Sequence, residues 1–208
     1  MSQAKLVILF FVRLALFYAV FLIPWPGVRD AYASGFRVGA NFLFRTFGER
    51  GRAYFDPLDL TGKGFDAYDT QIVLRNLGTG ARGTIPGMNS RLMGYLPMAF
   101  AATLILATPV NWKRRVVGLC LGMALMSAFV AFDVWLHLMD VWTDATPLGI
   151  YAPPPWGRSL FVAALNVVGR SPVTAYIAPV FVWLLVLIRR EDVERWANLP
   201  ARGRRRLI

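Results

Sequence analysis

The sequence predicts an all-α integral membrane protein in which four transmembrane helices carry a small extracytoplasmic cap. Hydrophobic residues make up 56% of the 208 residues, and they collect in long runs, which is typical of membrane spans rather than of a soluble core. The formal net charge of +11 is concentrated at the ends of those runs, where basic residues set topology and meet anionic lipid headgroups. We therefore expect a single membrane domain over residues 1–208 and no nucleic-acid partner.

The first predicted span covers residues 6–23 and is interrupted only by Arg13, whose long side chain can reach the membrane surface from within a helix. At a rise of about 1.5 Å per residue this run is long enough to cross a bilayer. Pro24 ends the run, and Trp25 follows at the expected interface. A cleaved signal peptide is the alternative, because residues 31–33 have the small-x-small form, although they lie far from the run. We favour a retained anchor.

Residues 28–91 form the predicted extracytoplasmic cap. Apolar residues within 32–47 recur at helical spacing with charged residues between them, which predicts an amphipathic helix on the bilayer or under the cap. Residues 54–68 are rich in Gly, Asp and Pro and are expected to be loop. Residues 70–75 and 83–85 flank a glycine-rich turn and predict a β-hairpin, which needs a packing partner because an isolated hairpin is marginal in water.

Three more spans are expected in the rest of the chain, over residues 92–110, 116–141 and 172–188. The third span contains Gly118 and Gly122, a spacing at which small residues let helices approach closely. Residues 142–171 are expected to form a Pro-rich extracytoplasmic loop. Within that loop the apolar stretch 159–168 is too short to span and predicts an interfacial or re-entrant helix.

Basic clusters orient the predicted bundle. A short basic connection precedes the third span, and the tail of residues 189–208 holds seven arginines. The positive-inside rule puts both clusters, and hence both termini, in the cytoplasm. This predicts a multi-pass protein of the cytoplasmic (inner) membrane. The basic side chains expected to contact anionic lipid headgroups are Lys113, Arg114, Arg115, Arg204, Arg205 and Arg206.

Asp133, His137 and Asp140 are the candidate catalytic residues. Their spacings of four and three place them on one face of a helix, and ionisable groups in a membrane helix are costly and often functional. They can be read as metal ligands, or as an acid–base pair in which Asp orients His. A third interpretation is a polar contact to another helix or to Arg91. The interpretation that we favour is that they cap or line the outer helix end.

Asn89, Ser90 and Arg91 lie at the outer start of the second predicted span. They can hold a ligand or pair with Asp133 or Asp140, but the interpretation we favour is a helix N-cap, a position that Asn and Ser prefer. No base accompanies Ser90 within its own segment, so we do not expect a serine nucleophile.

Other cofactor and metal motifs are not expected. A single cysteine, Cys120, excludes an internal disulfide and any multi-cysteine metal site. The glycines within residues 78–83 are not followed by a helix that begins with Lys and Ser or Thr, so they do not predict a phosphate loop. We therefore predict no metal and no cofactor.

Residues 89–140 resemble part of the exosortase/archaeosortase group of membrane transpeptidases. The likeness rests on a polar motif at an outward helix start, a span, a turn running from Pro109 into the basic cluster, a returning span and the outward His137. The nucleophilic Cys of that group would fall near Asn89 and is missing, and the Arg expected on the returning helix is replaced by the region of Asp133. The resemblance therefore implies a non-catalytic relative, or an accessory to envelope protein sorting or polysaccharide export.

The leading functional prediction is an accessory or scaffold subunit of a cytoplasmic-membrane complex, with other membrane protein subunits and anionic lipids as partners. The first alternative is an exosortase-like transpeptidase or hydrolase that uses His137 with Asp133 or Asp140 at the outer leaflet, on a peptide or a lipid-linked substrate. The second is a small transporter component, which predicts polar residues in several spans.

Overall fold

The computed structural model describes residues 3–61, 68–144, 146–169 and 172–188. The helices in these ranges are α1 (Gln3–Leu22), α2 (Val28–Phe44), α3 (Leu96–Ala107), α4 (Trp112–Trp142), α5 (Pro155–Ala164) and α6 (Pro172–Leu187). The strands are β1 (Thr46–Phe47), β2 (Gly51–Thr61), β3 (Tyr68–Asn76) and β4 (Arg82–Met88). π-Helical turns precede α3 (Arg91–Tyr95) and follow α5 (Leu165–Gly169).

The expected all-α fold is wrong, because the described residues include a four-stranded antiparallel sheet in the order β1-β2-β3-β4. The predicted hairpin is present as β3 and β4, but β2 occupies much of the segment expected to be loop. Its Gly, Asp and Pro residues disfavour a strand locally, yet inward Ala53 and Phe55 alternate with outward residues as a half-buried strand requires. The register of β2 against β3 shifts between Pro57 and Thr61, where the strand pairing is irregular.

The expectation of four transmembrane helices is also wrong. Among the helices that the structure describes, α4 alone is by itself long and apolar enough to cross a membrane. The apolar helices in the first and second predicted spans, Val7–Leu22 and Arg91–Ala107, are shorter. The second ends early because Thr108 precedes Pro109 and adopts an extended conformation, so the apolar run outlasts the helix.

The fourth predicted span is part of a bent pair. The helical stretch Pro155–Gly169 and Val173–Leu187 meet at 85°, and together they satisfy the length and hydropathy of a broken span or a re-entrant loop. The helix expected within 159–168 is therefore present and begins earlier. The placement of both termini in the cytoplasm depended on four spans and loses its basis, and the tail of residues 189–208 lies outside the described residues.

The amphipathic helix is confirmed as α2, and it packs against the sheet. The inner face of the sheet, the buried side of α2 and the C-terminal half of α4 share one hydrophobic core. Its buried members are Ala40, Phe44, Ala53, Phe55, Ile72, Leu74, Val134, Leu138 and Trp142. The sheet therefore packs directly against the C-terminal end of α4, which among the described helices is by itself long and apolar enough to cross a membrane.

The close helix packing predicted from the two glycines of α4 is confirmed. Gly118 and Gly122 are buried, and a Cβ atom at Gly122 would lie only 2.6 Å from Cδ1 of Ile105 on α3. A Cβ atom at Gly118 would lie 2.9 Å from Cδ2 of Leu187 on α6. The absent side chains let α3, α4 and α6 approach closely along this line.

Candidate functional site

Asp133 and His137 meet on the C-terminal half of α4. Nδ1 of His137 lies 2.9 Å from the main-chain oxygen of Asp133 and 3.5 Å from its carboxylate Oδ1. Because a carbonyl oxygen only accepts hydrogen bonds, this contact requires a proton on Nδ1 of His137. The main chain at Gly169 closes over the pair, since a Cβ atom there would lie 3.0 Å from Cε1 of His137. The Asp133 side chain is buried beneath it.

Asp140, the third predicted member, lies one turn further along α4, where its main-chain oxygen is 3.4 Å from the Thr143 hydroxyl. In the parts of the chain that the structure describes, no group of three or more His, Cys, Asp or Glu side chains is arranged to hold a metal ion. The metal interpretation of Asp133 and His137 thus lacks a third ligand there. The acid–base interpretation and the structural interpretation remain predictions.

The polar start of the second predicted span joins the end of α1 to the helical segment that leads into α3. Oδ1 of Asn89 accepts hydrogen bonds from the main-chain N–H groups of Arg91 (3.0 Å) and Leu92 (3.1 Å), as an N-cap residue does. The Arg91 guanidinium donates to the main-chain oxygen of Leu22 at 3.3 Å, and thereby caps the C-terminal end of α1. The Tyr95 hydroxyl donates to a neighbouring α1 carbonyl at 2.9 Å.

Ser90 pairs with Asp69 of β3, and not with the carboxylates of α4 considered from the sequence. Oδ2 of Asp69 accepts from the Ser90 hydroxyl (2.8 Å), and Oδ1 accepts from the Ser90 N–H (3.1 Å) and the Thr70 hydroxyl (2.9 Å). All three side chains are buried. Burial, and then the Asp69 carboxylate, raise the pKa of nearby Tyr32, so its phenol stays neutral. This cluster anchors β3 to the start of α3.

The outward face of the sheet carries a row of three arginines. Strand pairing places Arg52 opposite Arg75, and Arg75 opposite Arg82, so the three side chains follow one another across β2, β3 and β4. Arg75 and Arg82 are exposed, and Arg52 is half-buried. On the same face, the Arg45 guanidinium lies 5.9 Å from the ring centroid of Tyr54. We call Arg52, Arg75 and Arg82 the arginine row.

The basic connection before α4 is partly engaged within the protein. The Arg114 guanidinium donates to the main-chain oxygen of Leu187, and Arg115 donates to that of Thr108 at 3.1 Å. Lys113 is exposed. Two of the predicted lipid-headgroup contacts therefore also tie together the ends of α3, α4 and α6. The other predicted contacts, Arg204, Arg205 and Arg206, lie outside the described residues.

Sequence reasoning missed Asp69 and the arginine row. Asp69 stands 21 positions from Ser90, and only the fold of the sheet brings the two together. A signal for the row was present, because arginines at positions 52, 75 and 82 belong to a basic segment whose residues alternate in polarity. The register of β2 against β3 is needed to place the three arginines side by side, and the sequence predicts a loop where β2 lies.

Comparison of the chain with family models, with curated proteins and with solved structures finds no match. The resemblance to the exosortase/archaeosortase group therefore stays a prediction.

Proposed function

We propose that this protein is an accessory or scaffold subunit of a membrane complex and that the outer face of its sheet docks an acidic partner. The arginine row carries this proposal. Like charges placed directly opposite on neighbouring strands destabilise a sheet, so three arginines in line weaken the isolated cap. Carboxylate or phosphate groups of a partner would relieve that repulsion and gain charge-assisted hydrogen bonds.

The core supports a scaffold because it couples the docking face to the membrane helix. Val134, Leu138 and Trp142 of α4 belong to the same buried cluster as the inner face of the sheet. A partner bound to the arginine row would thus be held at a fixed position relative to α4. A scaffold subunit needs this fixed geometry, which does not depend on a conformational change.

For the location, we propose that α4 crosses the cytoplasmic membrane with its Lys113 end inside and the sheet outside, as the positive-inside rule favours. Kinship to the exosortase/archaeosortase group would place the complex in envelope protein sorting or polysaccharide export.

An outer-leaflet enzyme that uses His137 is the second candidate, and the closeness of Asp133 to the ring favours it. Two observations weigh against it. The nearest partner of His137 Nδ1 is the main-chain oxygen of Asp133, and not the Asp133 carboxylate. The Ser90 hydroxyl donates a hydrogen bond to the Asp69 carboxylate, which also accepts two other hydrogen bonds. Among the described residues His137 therefore contacts Asp133 while Ser90 contacts Asp69, so His137 and Ser90 do not form a nucleophile–base pair with each other.

Affinity purification of the intact protein in mild detergent, followed by mass spectrometry, tests the docking proposal. Wild type should retain a stoichiometric membrane protein with an acidic surface. Replacing the whole arginine row by glutamine should reduce its recovery at least tenfold, whereas replacing the row by lysine should keep most of it at low salt. Neutralisation removes the repulsion but also the hydrogen bond that Arg52 donates to the main-chain oxygen of Gly51 at 2.8 Å, so the glutamine variant should be about as stable as wild type.

Two results would contradict the proposal. One is a clean, monodisperse single species from wild type, and the other is equal recovery of the same partner by the glutamine variant. The matched control is Lys113→Gln, which removes an exposed positive charge at the opposite end of α4 and should leave recovery unchanged.

A further inference from the structure

A groove lies between α2 and α4, and no side chain of the described residues fills it. It has a volume of about 410 Å³ and is lined almost entirely by small and apolar side chains. On α2 its wall includes Gly35 and Gly39, and on α4 it includes Val130 and Val134. Pockets that bind small molecules have volumes of about 300–1,000 Å³, mostly apolar walls and a few polar groups. The size and lining of the groove therefore fit an apolar ligand.

The two glycines of the groove are not needed for close helix packing. A Cβ atom added at Gly35 or Gly39 would meet nothing within 4 Å. Glycine inside a helix is less stable than alanine, so these two glycines, one turn apart, weaken α2 without allowing a closer contact to any described residue. The space they leave is explained if another molecule occupies it.

Positive charge lies at one end of the groove. Tyr32 lines the groove and also a smaller cavity of about 100 Å³, whose walls include Arg29, Arg91 and Trp25. The smaller cavity is thus a cationic and aromatic recess that shares a wall with the apolar one. An apolar channel beside two guanidinium groups is complementary to an amphiphile with an anionic head, because guanidinium binds phosphate through paired N–H donors.

The outer side of α2 indicates where the amphiphile comes from. Val38 and Phe42 on this helix are 68% and 87% exposed. Large apolar side chains presented by an amphipathic helix are typical of one that lies in the membrane interface. Val38 directly precedes Gly39 on α2 and Phe42 follows it by three residues, so the groove is within reach of bilayer lipids.

We propose that the groove between α2 and α4 binds one acyl lipid with an anionic phosphate headgroup. The acyl chain lies along Gly35 and Gly39, and the headgroup meets Arg29 and Arg91 in the smaller cavity. The site holds the lipid between α2 and α4, so the bound acyl chain fills the space between the two helices. The inference is independent of the arginine row, because it uses a different surface and a different ligand.

Native mass spectrometry of the full chain in mild detergent tests this site. The protein is incubated with equal amounts of dioleoylphosphatidylglycerol and dioleoylphosphatidylcholine. Wild type should carry one phosphatidylglycerol, preferred at least fivefold over phosphatidylcholine. Gly39→Phe should fill the groove and reduce bound lipid at least tenfold, and Gly35→Phe should do the same. The matched control, Val117→Phe, enlarges an exposed side chain elsewhere on α4 and should leave lipid binding unchanged.

The headgroup is tested separately with Arg29→Gln and Arg29→Lys. The glutamine variant should bring the ratio of phosphatidylglycerol to phosphatidylcholine towards one, and the lysine variant should keep the preference. The proposal is overturned if folded, monodisperse Gly39→Phe and Gly35→Phe retain wild-type amounts of phosphatidylglycerol. It is also overturned if wild type binds both lipids equally, or if a second copy of the chain or a protein segment fills the groove instead. The assay needs no partner protein, so its failure leaves the docking proposal standing.

Discussion

Gly118 and Gly122 on α4 have the same spacing as Gly35 and Gly39 on α2, but their surroundings differ. The α4 pair is covered by side chains of α3 and α6, and a Cβ atom at Gly122 would be 2.6 Å from Ile105. The α2 pair faces open space. Small residues four apart thus serve close packing in one place and leave a groove in the other. Their function depends on what the rest of the fold brings opposite them.

The position of α2 relative to the sheet accounts for this difference. Asn41 on α2 bonds to both main-chain groups of Phe55, its Nδ2 donating to the oxygen and its Oδ1 accepting from the N–H, each at 2.9 Å. β1 pairs with β2 only near Gly51 and Arg52, so Asn41 takes the place of a strand beside Phe55. Because these bonds hold α2 against the sheet, the groove beside α4 stays open.

The largest effect is expected from Asn41→Ala. It leaves a buried N–H and a buried oxygen of Phe55 without their partner, and each such group costs about 1–3 kcal/mol. The free energy of unfolding should fall by about 2–4 kcal/mol, measured by denaturation in detergent and accompanied by loss of lipid binding. The control is Asn111→Ala, because the exposed Asn111 makes no side-chain capping bond at the start of α4. Equal stability of the two variants would show that Asn41 does not hold α2.

A smaller effect is expected from Gly122→Leu, compared with Gly39→Leu. The first forces a side chain into the closed contact with Ile105, and overpacking typically costs about 1–3 kcal/mol. The second places the same side chain in the groove, where it meets free space, so stability should be unchanged or higher. Thermal unfolding in the same detergent measures both. If the two variants lose stability equally, the glycine pairs do not differ as the structure indicates.

Local hydrogen bonding explains which parts of this fold could be predicted. The sequence predicts α2 and α4 because a helix satisfies its main-chain groups within its own segment, so hydrophobic periodicity and apolar length identify it. β2 was missed because its partners lie on β3 and at Asn41, and its composition alone reads as loop. The Asp69–Ser90 pair and the arginine row required the strand register, which no spacing in the sequence specifies. The second predicted span is too long because its apolar run continues past the helix end at Thr108, and the fourth forms part of a bent helix pair.

The smallest effect, and the most specific, is expected from Gly39→Ala. A methyl group at this position meets no atom within 4 Å, so the substitution removes the helix penalty of glycine without creating a clash. The free energy of unfolding should rise by about 0.5–1 kcal/mol in lipid-free detergent. With phosphatidylglycerol added, the gain should shrink, because the methyl group takes space from the acyl chain and weakens a ligand that stabilises the folded state. Gly122→Ala is the counterpart and should lose stability in both conditions. An equal gain for Gly39→Ala with and without lipid would mean that nothing occupies the groove at this turn of α2.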